Sequence, residues 1–392
     1  MSTDIVIVSG ARTAFGAFGG GLATQTATDL AVAATKGAME RSKVDPAAVD
    51  YVVMGNVCQT SKDSIYLGRH VALRSGMKME TPALIINQLC GSGVQAVVQA
   101  AALLRAGEAQ CVLAGGTDSL SQAPYMAWQN RWGARMGHAE LWDSLDVRDT
   151  LVNASMGETA ENIQSKYGIS RQEQDEFALQ SQMKAKAAIE SGRLKEEIVG
   201  VEIKDKKGKV VVVERDEHAR PETTIEGLQK LRAAFRKDGT VTAGNACGIV
   251  DGAAAVVVTT EGNAKSMGAK PLCRVVSWAV VGVPPEIMGI GPVAAIPKAL
   301  EKAGMKLDQM DLIEINEAFA VQYLACEKDL GLDRSKVNVN GGAIALGHPF
   351  AASGTRLLLT AGLELQKRDK KHAMISLCVG GGMGIAMIIE RM

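Results

Sequence analysis

Twice in this chain a distinctive residue opens a small-residue helix, and an apolar, strand-like run then returns to glycines. In the first copy, residues 83–86 lead to Cys90-Gly-Ser-Gly93, residues 94–106 have helical apolar spacing, and residues 111–114 return to Gly115-Gly116. In the second, His348-Pro-Phe-Ala-Ala-Ser-Gly354 opens a helix, and residues 373–377 return to Cys378-Val-Gly-Gly. Short apolar runs alternating with helical segments read as βαβ units, a sheet with helices on its faces. Their recurrence reads as one unit used twice. A pseudo-twofold relation would bring Cys90 and His348 together, each at the start of a helix.

The rest of the pattern fits that duplication. Up to about residue 118, further strands are expected at 5–8 and 51–54 and a helix at 29–41. From about residue 250, strands are expected at 253–258, 272–281 and 312–315, with helices at 292–303 and 319–331. Between them the character changes: residues 119–249 hold Trp128, Trp132 and Trp142, three of the four tryptophans, a long polar helix at 171–192 and a charged hairpin at 198–213. The expected division is residues 1–118 with 250–268 as the N-terminal half, 119–249 as an inserted loop domain, and 269–392 as the C-terminal half.

With 47% hydrophobic residues in 392, the chain can bury a large core. Formal net charge is zero. No basic stripe is interleaved with aromatics, which argues against nucleic acid as a partner. The basic runs 204–209 and 367–372 read as solvated loops or hairpin tips. Seven cysteines without a CxxC pair point to free thiols in a reducing compartment. No presequence is evident, and no apolar run approaches the roughly 18–20 residues of a membrane span, so a soluble cytoplasmic protein is expected. Cys58, Cys111, Cys273 and Cys326, with His70, His138, His218 and His372, lack metal-ligand spacing and read as structural; no metal is expected.

Cys90 carries the first chemical expectation. A thiol at a helix N-terminus meets unpaired N–H groups and a partial positive charge, which favour thiolate. Gly91 and Gly93 would let a substrate carbonyl approach the amides. A buried cysteine beside glycines is also plain packing. Asn316-Glu-Ala-Phe319, Asn340-Gly-Gly-Ala-Ile-Ala-Leu-Gly-His348 and Ser376-Leu-Cys378-Val-Gly-Gly-Gly-Met-Gly384 complete the set. Each has a plain alternative. His348 could be a core histidine and Cys378 a small hydrophobe, although its following glycines suggest close substrate approach. Asn316 could cap a helix starting at Glu317. Gly380-Gly-Gly-Met-Gly fails as a dinucleotide loop, because the chain ends before the required helix and acidic residue.

These blocks, in this order, resemble the thiolase family from about residue 4 to the last residue. The resemblance implies an α/β protein with the duplicated, layered thiolase fold. It implies Cys90 as the acyl-carrying nucleophile, His348 as the group that takes its proton and donates to an oxyanion, and Cys378 as the acid/base at the α-carbon. Asn316 would position a water in the enolate's oxyanion hole, and the amides of Cys90 and Gly380 would hold the acyl-transfer oxyanion. Coenzyme A and acyl-CoA are implied as substrates, with no permanently bound cofactor. Their implied contacts are Arg220, Phe235, Ala243 and Cys247 in the insertion, with Ala318, Phe319, Met156 and Met288 along the tunnel. Arg220 would lie near the nucleotide phosphates; its alternative is a solvated loop arginine. Residues 121–149 resemble a shortened tetramer-forming loop, which implies a homotetramer.

The implied activity is acetyl-CoA C-acetyltransferase: reversible condensation of two acetyl-CoA to acetoacetyl-CoA and CoA, or thiolysis of a 3-ketoacyl-CoA. The alternative within the class is a broader-range 3-ketoacyl-CoA thiolase. Outside it stand a CoA-ester-binding protein without turnover, opposed by the intact set of four residues, and a decarboxylating condensing enzyme, opposed by the second cysteine. Several positions depart from the family pattern. Cys247 stands where serine is common, Val250 where a polar residue is common, Phe350-Ala351 for a smaller aliphatic and a glycine, and Ser155 where short-chain biosynthetic relatives carry histidine. Ser121-Gln-Ala-Pro-Tyr and Asp216-Glu-His-Ala-Arg-Pro look more like the 3-ketoacyl-CoA type. These leave chain length and physiological direction open.

Overall fold

The structure, a computed structural model, describes residues 4–204 and 208–392. Residues 205–207 of the basic run 204–209, at the tip of the hairpin expected at 198–213, lie outside the described residues. The N-terminal half comprises β1 (Ile5–Thr13), α1 (Ala27–Ser42), β2 (Tyr51–Gly55), β3 (Ala83–Ile86), α2 (Ser92–Ala106) and β4 (Cys111–Asp118). The insertion carries α3 (Met156–Tyr167) and α4 (Arg171–Glu190), after which β5 (Val250–Thr260) rejoins the first sheet. The C-terminal half comprises β6 (Cys273–Gly282), α5 (Gly291–Ala303), β7 (Leu312–Ile315), α6 (Ala320–Leu330), α7 (Phe350–Lys367), β8 (His372–Val379) and β9 (Met383–Arg391).

Local chemistry marks the helix ends. Capping boxes start α1 (Thr26 with Asp29), α3 (Ser155 with Glu158) and α4 (Ser170 with Glu173). Left-handed glycines stop α2 at Gly107, α3 at Gly168, α5 at Gly304 and α6 at Gly331.

Strand pairing makes the duplication explicit. The order is β7-β8-β9-β6-β1-β5-β4-β2-β3. On one side β1 pairs antiparallel with β5, β5 antiparallel with β4, and β4 parallel with β2. On the other side β6 pairs antiparallel with β9, β9 antiparallel with β8, and β8 parallel with β7. The halves join where β1 meets β6, through only Val6↔Arg274 and Ile7↔Cys273. Helices α2 and α7 fill the space between the half-sheets and share one apolar cluster that includes Val94, Val97, Leu357 and Leu358. Helix α1 covers the outer face of the first half and α5 that of the second. Strands covered on both faces are apolar almost throughout.

At its start α2 meets α7 backbone to backbone. A methyl group on Gly93 would sit 2.5 Å from the Ala351 carbonyl oxygen, and one on Gly354 would sit 2.7 Å from the Val94 nitrogen. Gly93 therefore serves helix crossing and not substrate approach, which corrects the expectation drawn from its place beside Cys90.

Three further expectations change. The return strand does not stop at Ala114 but runs to Asp118. Gly115 and Gly116 are strand residues, because a methyl on either would fall within 2.4 Å of backbone oxygens of Ala254 and Ala351. The final strand β9 was not assigned from sequence; the glycines before it form the turn of a hairpin with β8, in which Gly381 and Gly382 take left-handed φ of 77° and 84°. One helix, Leu89–Ala106, is long and apolar enough to cross a membrane by composition. It is α2 with its preceding turn, and it lies in the central layer of the fold.

The insertion is fastened by charge as well as packing. Arg12, fully buried at the end of β1, donates to Asp216 at 2.6 and 2.8 Å and to Glu197 at 2.9 Å. Glu217 accepts from the backbone N–H groups of Ala17 and Gly21. The segment that ends at Arg220 is thereby anchored to the first half.

Candidate active site

The loop before α2 holds Cys90 in a short 3-10 turn, Leu89–Gly91. Leu89 takes φ 48°, a left-handed conformation costing about 1–3 kcal/mol for a non-glycine residue. Local hydrogen bonds keep it there. Leu89 N–H donates to Asn87 Oδ1 at 2.9 Å, Gln88 N–H donates to Ser92 Oγ at 2.9 Å, and Ser92 Oγ donates to the Leu89 carbonyl at 2.7 Å. Gly91 has an ordinary φ of −80°, and a methyl there would press on Val379 at 3.0 Å. Its smallness serves the contact with the second half.

Two backbone N–H groups, those of Gly380 and of Cys90 itself, lie against the Cys90 sulfur. The thiolate expected from the helix terminus is nevertheless not the resting form. Burial pushes the thiol up to about 11, the two N–H groups pull it down, and the Asp118 charge adds to the rise.

Residues from the C-terminal half face this loop. His348 is buried and its backbone N–H donates to the Gly248 carbonyl at 2.9 Å. Its Nδ1 lies 2.5 Å from Ser353 Oγ and its Nε2 lies 3.4 Å from Asn316 Nδ2. With Nδ1–H donating to Ser353, Nε2 keeps its lone pair, can accept from the Asn316 amide and is free to take a proton. Burial, then the positive charge of Arg356, pulls the imidazole down to about 3, so it rests neutral. Asn316 is buried, its N–H donates to the Ser376 carbonyl at 3.0 Å, and its Oδ1 has no hydrogen-bond partner. It does not cap a helix at Glu317, because α6 begins only at Ala320.

Cys378 ends up fully buried near the end of β8, opposite Gly384. Burial, then the neighbouring sulfurs of Cys90, Cys326 and Cys247, raises its thiol well above the usual range. Cys247 is pushed up to about 12 by burial and then by Cys90. Cys90, Cys247 and Cys378 thus form one cluster of protonated thiols. Of the glycines after Cys378, only Gly380 looks into the site: a methyl on it would meet Leu89 Cδ1 at 3.0 Å and Met156 Sδ at 3.4 Å. Gly381 and Gly382 make the turn, and Gly384 gives room to Gly291. This narrows the earlier reading of all four as substrate-facing.

The wall leading outward joins insertion to C-terminal half. Cys247 N–H donates to the Ala318 carbonyl at 2.9 Å, and Ala246 bridges Phe319. Phe319 meets Phe235 edge-on with centroids 6.1 Å apart, and Phe235 lies flat over Gly157. Met156 is half-buried against the core that contains Met288, Ala318 and Phe319. Ala243 and Arg220 are exposed on the insertion's surface. Arg220 is held through its backbone, where its N–H donates to Gln182 Oε1 at 2.9 Å, and its guanidinium remains available to an anion.

Three supporting residues escaped the sequence reading. Glu317 is a buried hub. Its carboxylate accepts from Ser181 Oγ at 2.6 Å, Asn338 Nδ2 at 2.8 Å and the Ile344 N–H at 3.3 Å, and it fills the space a side chain at Gly342 would need. It thereby ties Asn316 to the loop that leads to His348. Ser353 hydrogen-bonds the imidazole at Nδ1 and so orients the ring. His218, read as structural, lies over Gly248, the residue whose carbonyl holds the His348 backbone. Only spacing could have hinted at Ser353, five residues after His348 on the helix it opens.

Residues 5–262 match the model of the thiolase N-terminal domain, and residues 269–391 that of the thiolase C-terminal domain. The chain belongs to the thiolase family. It is 53% identical over 389 residues to the mitochondrial 3-ketoacyl-CoA thiolase of Homo sapiens, covering 98% of each chain. It is 50% identical over 394 residues to the acetyl-CoA acetyltransferase of Escherichia coli, covering 99% of each. The crystal structure of the human mitochondrial 3-ketoacyl-CoA thiolase in complex with CoA matches with a TM-score of 0.96 at 52% identity, over 99% of this chain and 98% of that one.

A buried thiolase cysteine at rest as a thiol has a measurable signature. Alkylation of Cys90 by iodoacetamide should still be accelerating at about pH 9.5, where a free cysteine with pKa about 8.5 has levelled off. Peptide mapping across a pH series reads this. A plateau for the Cys90 peptide near neutral pH would show a standing thiolate instead.

Proposed function

We propose that this thiolase condenses two acetyl-CoA reversibly to acetoacetyl-CoA and CoA, and cleaves 3-ketoacyl-CoA with CoA, through an acyl group on Cys90. The observation that carries the reading is Cys90 beneath the N–H groups of Cys90 and Gly380 and near Cys378, with a neutral His348 paired to Asn316 just before α7, the helix whose start crosses that of α2. In the proposed first step, Cys90 gives its proton to His348 Nε2 as sulfur attacks the thioester carbonyl. The two N–H groups hold the oxyanion. CoA leaves, takes the proton back from His348, and the acyl group stays on Cys90. In the second step Cys378 passes its proton to His348 Nε2, and its thiolate removes a proton from the α-carbon of another acetyl-CoA, while the protonated His348 and Asn316 donate to the enolate oxygen. The carbanion attacks the acyl carbonyl, and Cys90 departs and takes its proton back from His348. Along the wall, Phe235, Cys247, Ala318, Phe319 and Met156 fit a pantetheine arm, with Met288 in the core behind them. Arg220 and Ala243 fit the nucleotide end.

The match to 3-ketoacyl-CoA thiolase favours the degradative reading and supports fatty-acid metabolism as the setting. Comparing kcat/KM for thiolysis of acetoacetyl-CoA with a longer ketoacyl series decides the matter. Higher values for the longer chains are expected, and activity confined to acetoacetyl-CoA would remove this reading.

We also propose a homotetramer. The loop 121–149 projects from the fold with Trp132 91% and Met136 99% exposed, more apolar surface than a monomer loop normally offers to water. Light scattering should give the mass of four chains; a monodisperse dimer would contradict it.

The division of labour between the cysteines is tested by Cys378→Ala. Exchange of the acetyl group between acetyl-CoA and free labelled CoA needs only Cys90, His348 and the two N–H groups, and it should persist. Condensation and thiolysis should fall by at least about 10²-fold, the lower range for losing a general acid/base. Near-normal condensation by this variant would overturn the assignment.

A further inference from the structure

Ala351, the second residue of α7 and three positions after His348, is gripped from several sides. A methyl on Gly116 would sit 2.0 Å from its carbonyl oxygen, and one on Gly93 would sit 2.5 Å from the same atom. Its N–H donates to Asp118 Oδ2 at 2.9 Å. The other carboxylate oxygen of Asp118 accepts three more donors: Asn56 Nδ2 at 3.0 Å, Val57 N–H at 3.0 Å and Cys58 N–H at 2.9 Å. That strap is itself tied to the nucleophile loop, because Asn87 Nδ2 donates to the Val57 carbonyl at 3.2 Å.

Asp118 is fully buried, and its four donors are all neutral N–H groups. Burial pushes its carboxyl up to about 7, opposed by the backbone N–H groups of Cys58, Ala351 and Val57. Packing alone would be better served by an apolar side chain, since burying a charge without a cation is costly. What a carboxylate supplies is acceptors at both ends. An asparagine of the same shape would turn an NH2 toward the Ala351 N–H, or toward the three donors of the strap.

We propose that Asp118 is a positioning residue for the thiolase reaction: its carboxylate clamps the first turn of α7 and the strap 56–58 to the end of β4, and so fixes His348 relative to Cys90. The inference rests on the thiolase reading of the site. It gives a second function to a strand end that the sequence reading placed beyond the return strand.

The test is Asp118→Asn, with Asp118→Glu as the variant that keeps the charge. For Asp118→Asn, kcat for thiolysis should fall at least about tenfold with KM for CoA within about threefold, because misplacement near the chemistry costs rate while the coenzyme wall stays in place. The pH midpoint for alkylation of Cys90 should also move down, because a negative charge near it is removed. Of the other thiols that act on or with Cys90, that of Cys58 is also raised by Asp118 and should move down with it, whereas those of Cys247 and Cys378 are raised by burial and by Cys90. Asp118→Glu should recover most of the rate and leave the midpoint where it is. An asparagine variant with wild-type kcat and midpoint would overturn the proposal. If the asparagine variant does not fold, a glutamate variant that is folded but loses more than about tenfold, the larger penalty expected of a lost clamp, overturns it. Failure of both to fold does so too, because Asp118 would then be a folding residue. Wild-type turnover in the same assay keeps the claims apart: its absence defeats the thiolase reading, whereas normal wild-type turnover with an unimpaired asparagine variant defeats the clamp alone.

Discussion

Two helices from opposite halves of this chain cross so closely at their first turns that no side chain fits between them. Gly93 on α2 and Gly354 on α7 leave backbone against backbone, with Thr355 Oγ1 donating to the Gly93 carbonyl at 3.2 Å. Cys90 lies two residues before one helix and His348 two before the other, so the crossing sets the separation of the proposed nucleophile and base. Packed interiors tolerate little change in volume, and a single added methyl here would push the two halves apart. The sheets, the pseudo-twofold symmetry and the shared apolar cluster between them all serve to hold that crossing in place.

The site built around the crossing is uncharged at rest. Cys90, Cys247 and Cys378 are held as thiols and His348 as a neutral imidazole, each by burial first. Catalysis on this account proceeds by passing one proton between matched groups as charge develops on substrate oxygens. It does not draw on a standing thiolate–imidazolium pair. The N–H groups of Gly380 and Cys90 already face the reacting sulfur, so the donors need not reorganise when an oxyanion forms. Glu317 and Ser353 contribute by fixing the loop and orienting the imidazole, and the buried Arg12 network holds the insertion, and with it Arg220, against the first half.

Much of this was readable in the residues. Apolar runs located most of the strands, because a strand covered on both faces must be apolar throughout, and the four chemical blocks located Cys90, Asn316, His348 and Cys378. What escaped depended on long-range contact. Gly115 and Gly116 read only as the glycines to which the strand returns, and only the close backbones of Ala254 on β5 and Ala351 on α7 explain glycines inside it. Gly93 looked like an opening for substrate, and only the partner helix shows otherwise. The charge state of Cys90 was misread because a helix terminus is visible in sequence, whereas the depth of protein around a thiol is not. Strand β9 was overlooked because the glycines before it drew attention as a loop, although Ile385 to Ile389 are apolar enough for a buried strand.

The central claim is that Cys90, and no other thiol of the cluster, carries the acyl group across this helix crossing. Rapid quenching of the wild-type enzyme after mixing with labelled acetyl-CoA, followed by peptide mapping, tests it most directly. The account predicts a burst of free CoA and one acetyl group per active site on the peptide that contains Cys90. Label on the Cys378 or Cys247 peptide, or turnover with no covalent acetyl group at any time, would contradict it.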